Sequence, residues 1–455
     1  MKLLIWEGPK IMEFFKGLKK TLVGLLAGVT LFATTAAGLG NLTTVSAASL
    51  PANSDSSLNL DAKAAIAVDA TTGQVMYSKN AQEALPVASM SKLLTTYLVL
   101  KAIHSGKLSW NDKITPDEAS QKVSQNTTLS NVPLKADHSY TVKSLYEAML
   151  IYSANGATMA LAYKVGGSHQ NFINMMRKQA KEFGINDASI YTANGLTNGE
   201  VGSAAYPGAT KDDENKFSAQ DMAIIAQKIL TDYPEVLQTT SITKKEFNNG
   251  TDKTMMENWN WMLKGLAKAY TALPVDGLKT GTSDTAGACF VATVHKDGHR
   301  IITVILGAPH SSDTDLSRFE QTQKLMSYVY NGFTYKTIQA QSDYKQTLPV
   351  HNGKDLTTKV VTAKETHLWV KNTDTDVKVT ASVSGKKSLY EKGGLQAPLK
   401  KGQTVGTYNL KLKGGQELYF LDGTNALKVP AQTKVAVDKA NIFVIGWRAL
   451  TGLFK

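Results

Sequence analysis

The chain has very little cysteine: Cys289 is the only one among 455 residues. A lone thiol excludes an internal disulfide, and without a second cysteine the usual thiolate zinc sites are excluded as well. Its apolar neighbours, Ala288, Phe290 and Val291, are typical of a small buried core residue. The eight histidines form no ligand pattern, because the pair at 295 and 299 flanks a predicted hairpin turn. The sequence therefore predicts no metal ion and no cofactor.

Charged residues are also sparse. They make up 19% of the chain against 42% hydrophobic residues, a balance typical of a globular protein. The length allows two or three domains. The formal net charge of +12 attracts anionic surfaces such as lipid head groups, nucleic acid or acidic wall polymers, and it serves solubility equally well. The two ends of the chain favour a wall and membrane location, so we expect no nucleic acid partner.

A targeting segment is predicted at residues 1–47. Three lysines in residues 16–20 precede an apolar stretch over 22–33, and small residues follow up to Ala47. A basic region, an apolar core and a small-residue cleavage site are typical of a secretory signal peptide. We expect cleavage after Ala47 and export of the rest. An uncleaved anchor helix is the alternative, and Met12 is an alternative start.

The middle of the chain predicts an α+β domain over residues 61–333, preceded by a flexible lead at 48–60. A hairpin is expected over Ala64–Tyr77, and a second one turns at Asp297-Gly298. Apolar spacing predicts helices over 90–103, 145–163, 172–183, 219–230 and 316–330. Strands at both ends with helices between them predict one sheet, closed by pairing of early and late strands.

The hydrophobic pattern of the sequence changes after residue 333. Short apolar or alternating runs such as Leu368-Trp369-Val370 recur between Gly, Asn and Asp turns, which predicts a small all-β domain over 334–435. This part has no combination of nucleophile and base. We expect it to be a spacer between a membrane and the catalytic domain.

The last twenty residues, 436–455, predict an amphipathic helix. Phe443, Trp447, Leu450 and Phe454 recur at helical spacing, and Lys439, Arg448 and Lys455 supply positive charge. Such a helix can lie in the head-group layer with its aromatic side chains inserted. It is too short and too interrupted to span a bilayer comfortably. A helix packed on its own domain is the alternative.

Ser89-Met90-Ser91-Lys92 is the first of three motifs that carry chemistry. A serine three residues before a lysine occurs at four places, but only this one opens an apolar helix, after Leu85-Pro86-Val87. Residues three apart on a helix share a face, so Lys92 can reach the Ser89 hydroxyl. The helix N-terminus adds a positive field and outward-pointing N–H groups.

Ser153-Ala154-Asn155 is the second motif. The Ser-x-Asn pattern occurs at five places, and only here does it lie inside apolar sequence, after Met149-Leu150-Ile151-Tyr152. Polar groups in such surroundings are costly unless their hydrogen bonds are satisfied or used. Ser153 and Asn155 are therefore either functional or an ordinary polar pair of the core.

Lys279-Thr280-Gly281 is the third motif and occurs once. The lysine offers a cation for a carboxylate, and Gly281 allows a substrate to lie close to the backbone. An exposed strand lysine beside a turn is the alternative. One such tripeptide is a weak signal, but three motifs in this order, each in a fitting context, are a strong one.

In this order the three motifs resemble those of the serine-type D-alanyl-D-alanine carboxypeptidases, the low-molecular-mass penicillin-binding proteins. The resemblance runs from Ala64 to the last residue and includes segments 86–92, 151–155 and 276–281. It implies a penicillin-binding/β-lactamase-like transpeptidase fold, in which an antiparallel sheet packs with helices. The small all-β domain and the terminal amphipathic helix match that family's layout.

The resemblance also implies a function. The protein is expected to remove the terminal D-Ala from peptidoglycan stem pentapeptides through an acyl-enzyme on Ser89, and β-lactams are expected to acylate the same serine. Its expected partners are the stem peptide, β-lactam antibiotics and a membrane surface. Its expected location is the outer face of the bacterial cytoplasmic membrane or the cell wall.

Residue roles follow from the same resemblance. Ser89 is the expected nucleophile, Lys92 its base and Ser153 the proton relay to the leaving amine. The expected substrate-binding residues are Asn155, Lys279, Thr280, Gly281 and Thr282, with the backbone N–H groups of Ser89 and Thr282 as the oxyanion hole. Two departures from the family pattern are Gly156, where many members have an acidic residue, and Ser283, where many have threonine.

Two alternatives stay open. A class A β-lactamase uses a glutamate to activate the deacylating water. The pairs Glu246…Asn249 and Glu257…Asn260 both have the spacing of that family's glutamate and asparagine. The second alternative is a non-catalytic, β-lactam-binding wall scaffold, against which the intact group of serines and lysines argues.

Overall fold

Helices and strands alternate through the first part of the chain. The structure is a computed structural model that describes residues 50–52, 54–312 and 314–452, with side chains up to residue 451. The predicted signal peptide at 1–47 lies outside the described residues. The strands of this part are β1 (Ala64–Asp69), β2 (Val75–Lys79), β3 (Leu85–Pro86), β4 (Lys113–Ile114), β5 (Tyr140–Thr141), β6 (Lys216–Phe217), β7 (Lys244–Asn248), β8 (Lys253–Glu257), β9 (Val275–Ser283), β10 (Gly287–Lys296) and β11 (His299–Ala308). The helices are α1 (Lys92–His104), α2 (Glu118–Ser124), α3 (Val142–Ile151), α4 (Asn155–Gly166), α5 (His169–Glu182), α6 (Ala219–Asp232), α7 (Val236–Thr240) and α8 (Ser317–Gly332).

Early and late strands join in one five-stranded antiparallel sheet, in the order β2-β1-β11-β10-β9. β1 pairs with β11, so that Ala64 lies opposite Leu306 and Asp69 lies opposite Ile301. Both predicted hairpins are confirmed, and the second turns at Asp297 and Gly298, whose φ angles are +50° and +80°. The predicted closure of the domain by its first and last strands is therefore confirmed.

Every residue of β1 is buried, because helices cover both faces of the sheet. Ile66 and Val68 point into the larger core, which contains α1, α3, α4, α5 and α6. Ala65 and Ala67 point the other way, into a smaller core with Phe319 of α8. This alternation is the ordinary consequence of the two-residue period of a strand.

The single helix predicted over residues 145–163 is wrong. Helix α3 ends at Ile151, and α4 begins at Asn155. Between them Ser153 has a φ of +60°, which is the left-handed region that a right-handed helix cannot pass through. The break places the second motif at a helix junction instead of in the middle of a helix.

The lead predicted to be flexible at 48–60 is instead packed on the sheet where the structure describes it. Its backbone runs beside β2, with the Ser54 N–H donating to Ser78 O at 2.9 Å and the Asn80 N–H donating to Ala52 O at 2.7 Å. The side chains of Leu50 and Leu60 are buried. The segment therefore covers the outer edge of β2.

The second part of the chain is the expected small all-β domain. Its strands are β12 (Phe333–Ile338), β13 (Thr347–His351), β14 (Thr357–Thr362), β15 (Thr366–Lys371), β16 (Lys378–Gly385), β17 (Tyr390–Glu391), β18 (Gly394–Gln396), β19 (Thr404–Lys413) and β20 (Leu427–Thr433). Seven of them form a sheet in the order β16-β19-β20-β14-β13-β18-β17, and β12 pairs with β15. A separate hydrophobic core, with Tyr408 and Val429 among its buried residues, holds this domain together.

The end of β1 and the turn that follows it are hydrogen-bonded to strand β15. The Gln74 amide donates to Trp369 O at 2.7 Å and accepts from Trp369 N at 2.8 Å. The buried Asp69 carboxylate accepts from His367 Nε2 at 2.9 Å and from Trp369 Nε1 at 2.8 Å. Burial raises the pKa of Asp69, but the hydrogen bonds and charge of His367 outweigh it, so the net pKa is below its usual value. Side chains 295 or more residues apart in sequence thus join the two domains.

The terminal helix α9 spans Ile442–Gly452 and not the whole predicted range 436–455. Before it, Val437 exchanges backbone hydrogen bonds with Leu399, so this stretch belongs to the β domain. Phe443 and Trp447 of α9 are 84% and 68% exposed. Phe454 and Lys455 lie outside the described residues. In the part of the chain that the structure describes, no helix combines the length and apolarity needed to cross a bilayer.

Candidate active site

Ser89 lies in a 3₁₀ turn, Ala88–Ser91, that leads directly into α1. This turn is pressed against β9, the edge strand of the sheet. A Cβ atom on Gly281 would lie 2.4 Å from Val87 O, a distance that real Cβ contacts do not reach. The glycine of the third motif is therefore required by the serine turn itself. We expected a close approach of substrate there, and the structure gives a different reason.

The side chain of Lys92 is fully buried below Ser89. Its Nζ donates to Asn155 Oδ1 at 2.8 Å and to the carbonyl oxygen of Asn194 at 2.8 Å, and it forms a third hydrogen bond, 2.7 Å long, with the Ser89 hydroxyl. Burial, and then the charge of Lys279, hold the pKa of Lys92 well below its usual value. A neutral amine at this position can accept the proton of the serine hydroxyl.

Asn194 and its neighbours were missed in the sequence. Gly195 has a φ of +83°, and a Cβ atom there would collide with Ala88 O. Asn215 fixes the loop, because its Oδ1 accepts from the N–H groups of Tyr191 and Thr192. No local pattern marks these residues, since a backbone carbonyl binds Lys92 and any residue type supplies one.

Ser153 and Asn155 come from the junction of α3 and α4. Asn155 is the first residue of α4, and its amide bridges two elements: Oδ1 accepts from Lys92, while Nδ2 donates to Ser130 O at 3.1 Å. Ser153, held in its left-handed conformation, lines the same cleft as Ser89. The structure therefore brings the first and second motifs together.

The third motif lies on the edge strand β9. Lys279 is buried, and its Nζ donates to Thr280 O at 3.0 Å. Burial, and then the charge of Arg318, lower the pKa of Lys279 to about 7. Thr280, Gly281 and Thr282 line the cleft. The amine of Lys279 is close enough to Lys92 to lower the latter's pKa.

Arg318 of α8 is a second basic residue at the site, and no sequence motif marks it. Its Nη1 donates to Gly281 O at 2.9 Å and to Cys289 O at 3.3 Å, and the side chain lines the cleft. In the sequence it is a single arginine on a predicted amphipathic helix, and such an arginine is more often exposed to solvent. Cys289 itself is buried, as predicted, and burial raises the pKa of its thiol to about 11.

These residues surround a cleft of about 530 Å³. It is lined by Ser89, Thr127, Thr128, Leu129, Ser130, Tyr152, Ser153, Asn155, Leu196, Trp259, Trp261, Thr280, Gly281, Thr282, Asp284, His310, Asp315, Arg318 and Phe319. Six of the eight predicted site residues are among them, and the other two, the buried lysines, lie directly beneath. The cleft thus offers a hydroxyl with an adjacent buried amine, and two basic side chains, Lys279 of β9 and Arg318 of α8.

The β-lactamase alternative depends on Glu246 or Glu257, and neither residue lines this cleft. Glu246 pairs with Lys253 at 2.9 Å, and Glu257 pairs with Lys244 at 2.6 Å, in the exposed hairpin of β7 and β8. Neither glutamate therefore lies where it could act as a base beside Ser89.

Away from the cleft, Asp69, His299 and His367 bring possible ligand atoms within 4.8 Å of one another. No sequence motif marks this group, because its members come from three distant segments. The Asp69 oxygens already accept hydrogen bonds from Thr71, Thr72, His367 and Trp369. Asp69 and His367 are thus joined in a hydrogen-bonded cluster, whereas His299 Nδ1 is buried without a hydrogen-bond partner among the described residues. The absence of a metal stays a prediction.

The fold and the cleft define a serine acyl-transfer hydrolase of the penicillin-binding type. The sequence profile described as D-alanyl-D-alanine carboxypeptidase, peptidase S11, matches residues 51–310. A second profile, the C-terminal domain of penicillin-binding protein 5, matches residues 333–439. The chain belongs to the D-alanyl-D-alanine carboxypeptidase family. The predicted fold, enzyme class and D-alanyl-D-alanine carboxypeptidase activity are thereby confirmed.

Individual relatives agree with this assignment. The chain is 31% identical to the D-alanyl-D-alanine carboxypeptidase DacC of Escherichia coli (strain K12) over 78% of this chain and 81% of that one. It is 29% identical to the D-alanyl-D-alanine carboxypeptidase DacF of Bacillus subtilis (strain 168), over 79% and 84% of the two chains. Among solved structures, a peptidoglycan synthesis regulatory factor (PBP3) from Streptococcus pneumoniae superimposes with a TM-score of 0.67 at 33% identity, covering 84% of this chain and 99% of that one.

Proposed function

We propose that this carboxypeptidase removes the terminal D-Ala of peptidoglycan stem pentapeptides through an acyl-enzyme on Ser89. The observation that carries the proposal is the 2.7 Å hydrogen bond between Lys92 Nζ and Ser89 Oγ in a buried site. Because the lowered pKa of Lys92 favours the neutral amine, Lys92 takes the hydroxyl proton as Ser89 Oγ attacks the carbonyl between the two D-alanines.

The oxyanion that forms in this attack needs hydrogen-bond donors. We assign this role to the backbone N–H groups of Ser89 and Thr282, which belong to the serine turn and to the end of β9. A single such donor contributes about 3–4 kcal/mol in other acyl-transfer enzymes. The tight contact of Gly281 with Val87 O supports the assignment, since it keeps the turn and the strand together.

The leaving group is the amine of the terminal D-Ala, which must receive a proton. Ser153 lines the cleft beside Ser89 and relays the proton from Lys92 to this amine. Asn155 holds the substrate amide and, through its Oδ1 at 2.8 Å, orients Lys92. Water then attacks the acyl-enzyme, and the shortened peptide leaves with a new carboxylate while Ser89 regains its proton.

The free carboxylate of the substrate is bound at Lys279 and Thr280. With a pKa lowered to about 7, Lys279 is poised between its two forms, and an arriving carboxylate favours the charged ammonium. Arg318 adds a second positive charge within the cleft. β-Lactams carry a carboxylate and a reactive carbonyl in the same relative positions as the D-Ala-D-Ala substrate, so they acylate Ser89 as well.

The direct test is to incubate the purified protein, without residues 1–47, with a pentapeptide ending in D-Ala-D-Ala. We expect release of one D-alanine per peptide, measured by mass spectrometry. Normally folded protein that releases none would favour the non-catalytic scaffold. Rapid turnover of penicillin, with none trapped on the protein, would favour the β-lactamase.

We further propose that the enzyme is exported and acts at the outer face of the cytoplasmic membrane or in the cell wall, with α9 docked in the head-group layer. The exposed side chains of Phe443 and Trp447 support docking, since large apolar side chains on a terminal helix have no other cover among the described residues. Arg448 ties the helix to the β domain by donating to Gly353 O at 2.7 Å.

A further inference from the structure

One wall of the cleft is built by four consecutive residues, Asn258-Trp259-Asn260-Trp261, that alternate in direction. The two asparagines are buried, whereas the two tryptophans line the cleft. Asn258 Nδ2 donates to Ile242 O at 2.8 Å, and Asn258 Oδ1 accepts from the Asn260 N–H at 2.8 Å. Buried amides with satisfied hydrogen bonds fix a backbone rigidly, so the position of the indoles is fixed too.

The indole of Trp259 is locked by a second contact. Its ring stacks on Tyr152, with centroids 6.2 Å apart and planes 28° apart, and its Nε1 donates to Tyr152 O at 3.2 Å. Next to it, the ring of Trp261 lies 5.7 Å from that of Phe319. Aromatic side chains have few rotamers and bury large areas, so together they form a stiff wall.

The place of this wall along β9 follows from two hydrogen bonds. Asn260 Nδ2 donates to Gly277 O at 3.5 Å, and Thr240, which Asn258 also contacts, donates to Asp276 O at 2.9 Å. The wall therefore lies against the start of β9. Lys279 and Thr280 come next along the strand, and Thr282 lies at its far end.

This order has a consequence for substrate. The proposed function puts the scissile carbonyl at Thr282 and the terminal carboxylate at Lys279 and Thr280. Gly277, which the wall contacts, lies three strand residues before Thr280, or roughly 10 Å at about 3.4 Å per residue. The side chains of the wall shorten this distance further. The C-terminus of a bound peptide thus points at the stacked rings of Trp259 and Tyr152.

We propose that Trp259, stacked on Tyr152, closes the C-terminal end of the cleft and restricts cleavage to a single small terminal residue. This inference rests on the proposed function, because it takes the direction of the substrate from it. A peptide with one more residue after the second D-Ala, or with a bulky terminal side chain, would have to occupy the space of the indole. Such substrates are excluded by contact and not by charge.

The test compares wild-type enzyme with Trp259→Ala, Trp259→Phe and, as a matched control, Trp447→Ala on the exposed face of α9. Three acylated peptides are used, ending in D-Ala-D-Ala, in D-Ala-D-Leu and in D-Ala-D-Ala-Gly. In all three, hydrolysis breaks the bond after the first D-Ala, and the released amine component is measured by mass spectrometry as kcat/KM. Trapping of fluorescent penicillin reports whether each variant is folded and reactive.

We expect Trp259→Ala to raise kcat/KM for the two larger substrates, relative to the D-Ala-D-Ala peptide, by at least about tenfold, the scale on which pocket size discriminates. Trp259→Phe keeps a ring on Tyr152 and should retain wild-type selectivity, as should Trp447→Ala. Unchanged selectivity in a penicillin-reactive Trp259→Ala would overturn the inference. Failure of the wild type on D-Ala-D-Ala would instead overturn the proposed function.

Discussion

Lys92 Nζ lies 2.7 Å from Ser89 Oγ, and its two other hydrogen-bond partners, Asn155 Oδ1 and Asn194 O, are neutral oxygen atoms. Neutral acceptors do not repay the cost of burying an ammonium group as a carboxylate would. The neighbourhood of Lys92 therefore favours the amine that a serine nucleophile requires.

Replacing Ser89 by alanine should abolish covalent labelling by fluorescent penicillin, because the acylated oxygen is removed. Ser91→Ala is a matched control in the same turn. Its buried hydroxyl has no hydrogen-bond partner within the described residues, so its removal should leave labelling intact. Labelling is measured on a denaturing gel, and persistent labelling of Ser89→Ala would identify a different nucleophile.

The pH dependence of kcat/KM should have a falling alkaline limb near pH 7. The lowered pKa of Lys279, about 7, means that its charge is present below that pH and lost above it, and the proposed carboxylate contact is lost with it. Lys279→Arg keeps the charge at all accessible pH values, so we expect this limb to move up by more than about two pH units. Lys354→Arg, at an exposed lysine of the β domain, is the control. An alkaline limb that stays in place in Lys279→Arg would exclude Lys279 as its origin.

Gly281→Ala should slow acylation by penicillin by about 100-fold, because the new Cβ displaces the Ser89 turn. A displacement of about 1 Å between reacting groups can lower the rate by that factor. Gly332→Ala, at the end of α8, meets no atom within 4 Å and should acylate at the wild-type rate. Stopped-flow measurements give both rates, with circular dichroism to verify folding. Equal rates would show that the strand and turn adjust independently.

Much of this site was accessible from the sequence, because its reactive groups lie in three short motifs with regular local structure. Ser89 and Lys92 share a helical turn, and Lys279-Thr280-Gly281 occurs only once in the chain. What escaped prediction depends on conformation or on distant packing. The left-handed Ser153 splits a helix whose composition is continuous, and Arg318 reaches the cleft from a helix that reads as amphipathic.

The lead and the tryptophan wall were missed for the same reason. Polar composition suggested a flexible segment at 48–60, yet its backbone pairs with an otherwise open sheet edge. Asn260 was noticed only for its spacing from Glu257, and Asn258 was not noticed at all. Their buried hydrogen bonds come from Thr240, Ile242 and Gly277, which no spacing rule connects to them.

Asp69→Ala should lower the free energy of unfolding by about 3 kcal/mol, because it leaves His367 and Trp369 without their buried acceptor. Asp422→Ala removes an exposed carboxylate paired with Lys428 and should cost at most about 1 kcal/mol. Urea unfolding at pH 7 measures both. Equal effects would mean that the Asp69 cluster adds nothing beyond a surface pair.

The same cluster predicts a dependence on pH. Since the pKa of folded Asp69 is below its usual value, its stabilisation is complete above pH 4 and is lost as the pH falls through the lower folded value. Wild-type stability should therefore decline more steeply below pH 4 than that of Asp69→Ala. Parallel curves for the two proteins would contradict this assignment.

Removing residues 442–455 should abolish sedimentation with vesicles that contain anionic lipid and leave peptide hydrolysis unchanged. The cut falls after the last backbone bonds of the β domain, at Val437 and Ala440, so the fold is retained. A milder variant, Phe443→Ser with Trp447→Ser, should weaken binding in the same direction. Undiminished sedimentation of the truncated chain would exclude α9 as the docking element.

The pairing of β1 with β11 joins residues at 64–69 to residues at 301–306. Contacts between such distant stretches form late, since the intervening chain must first be brought together. During synthesis, the nucleophile, its base and the helix junction at Ser153 all appear well before the strand meant to dock a peptide. A nascent or proteolysed fragment ending ahead of β9 therefore has reactive groups but no groove, and should show no partial activity.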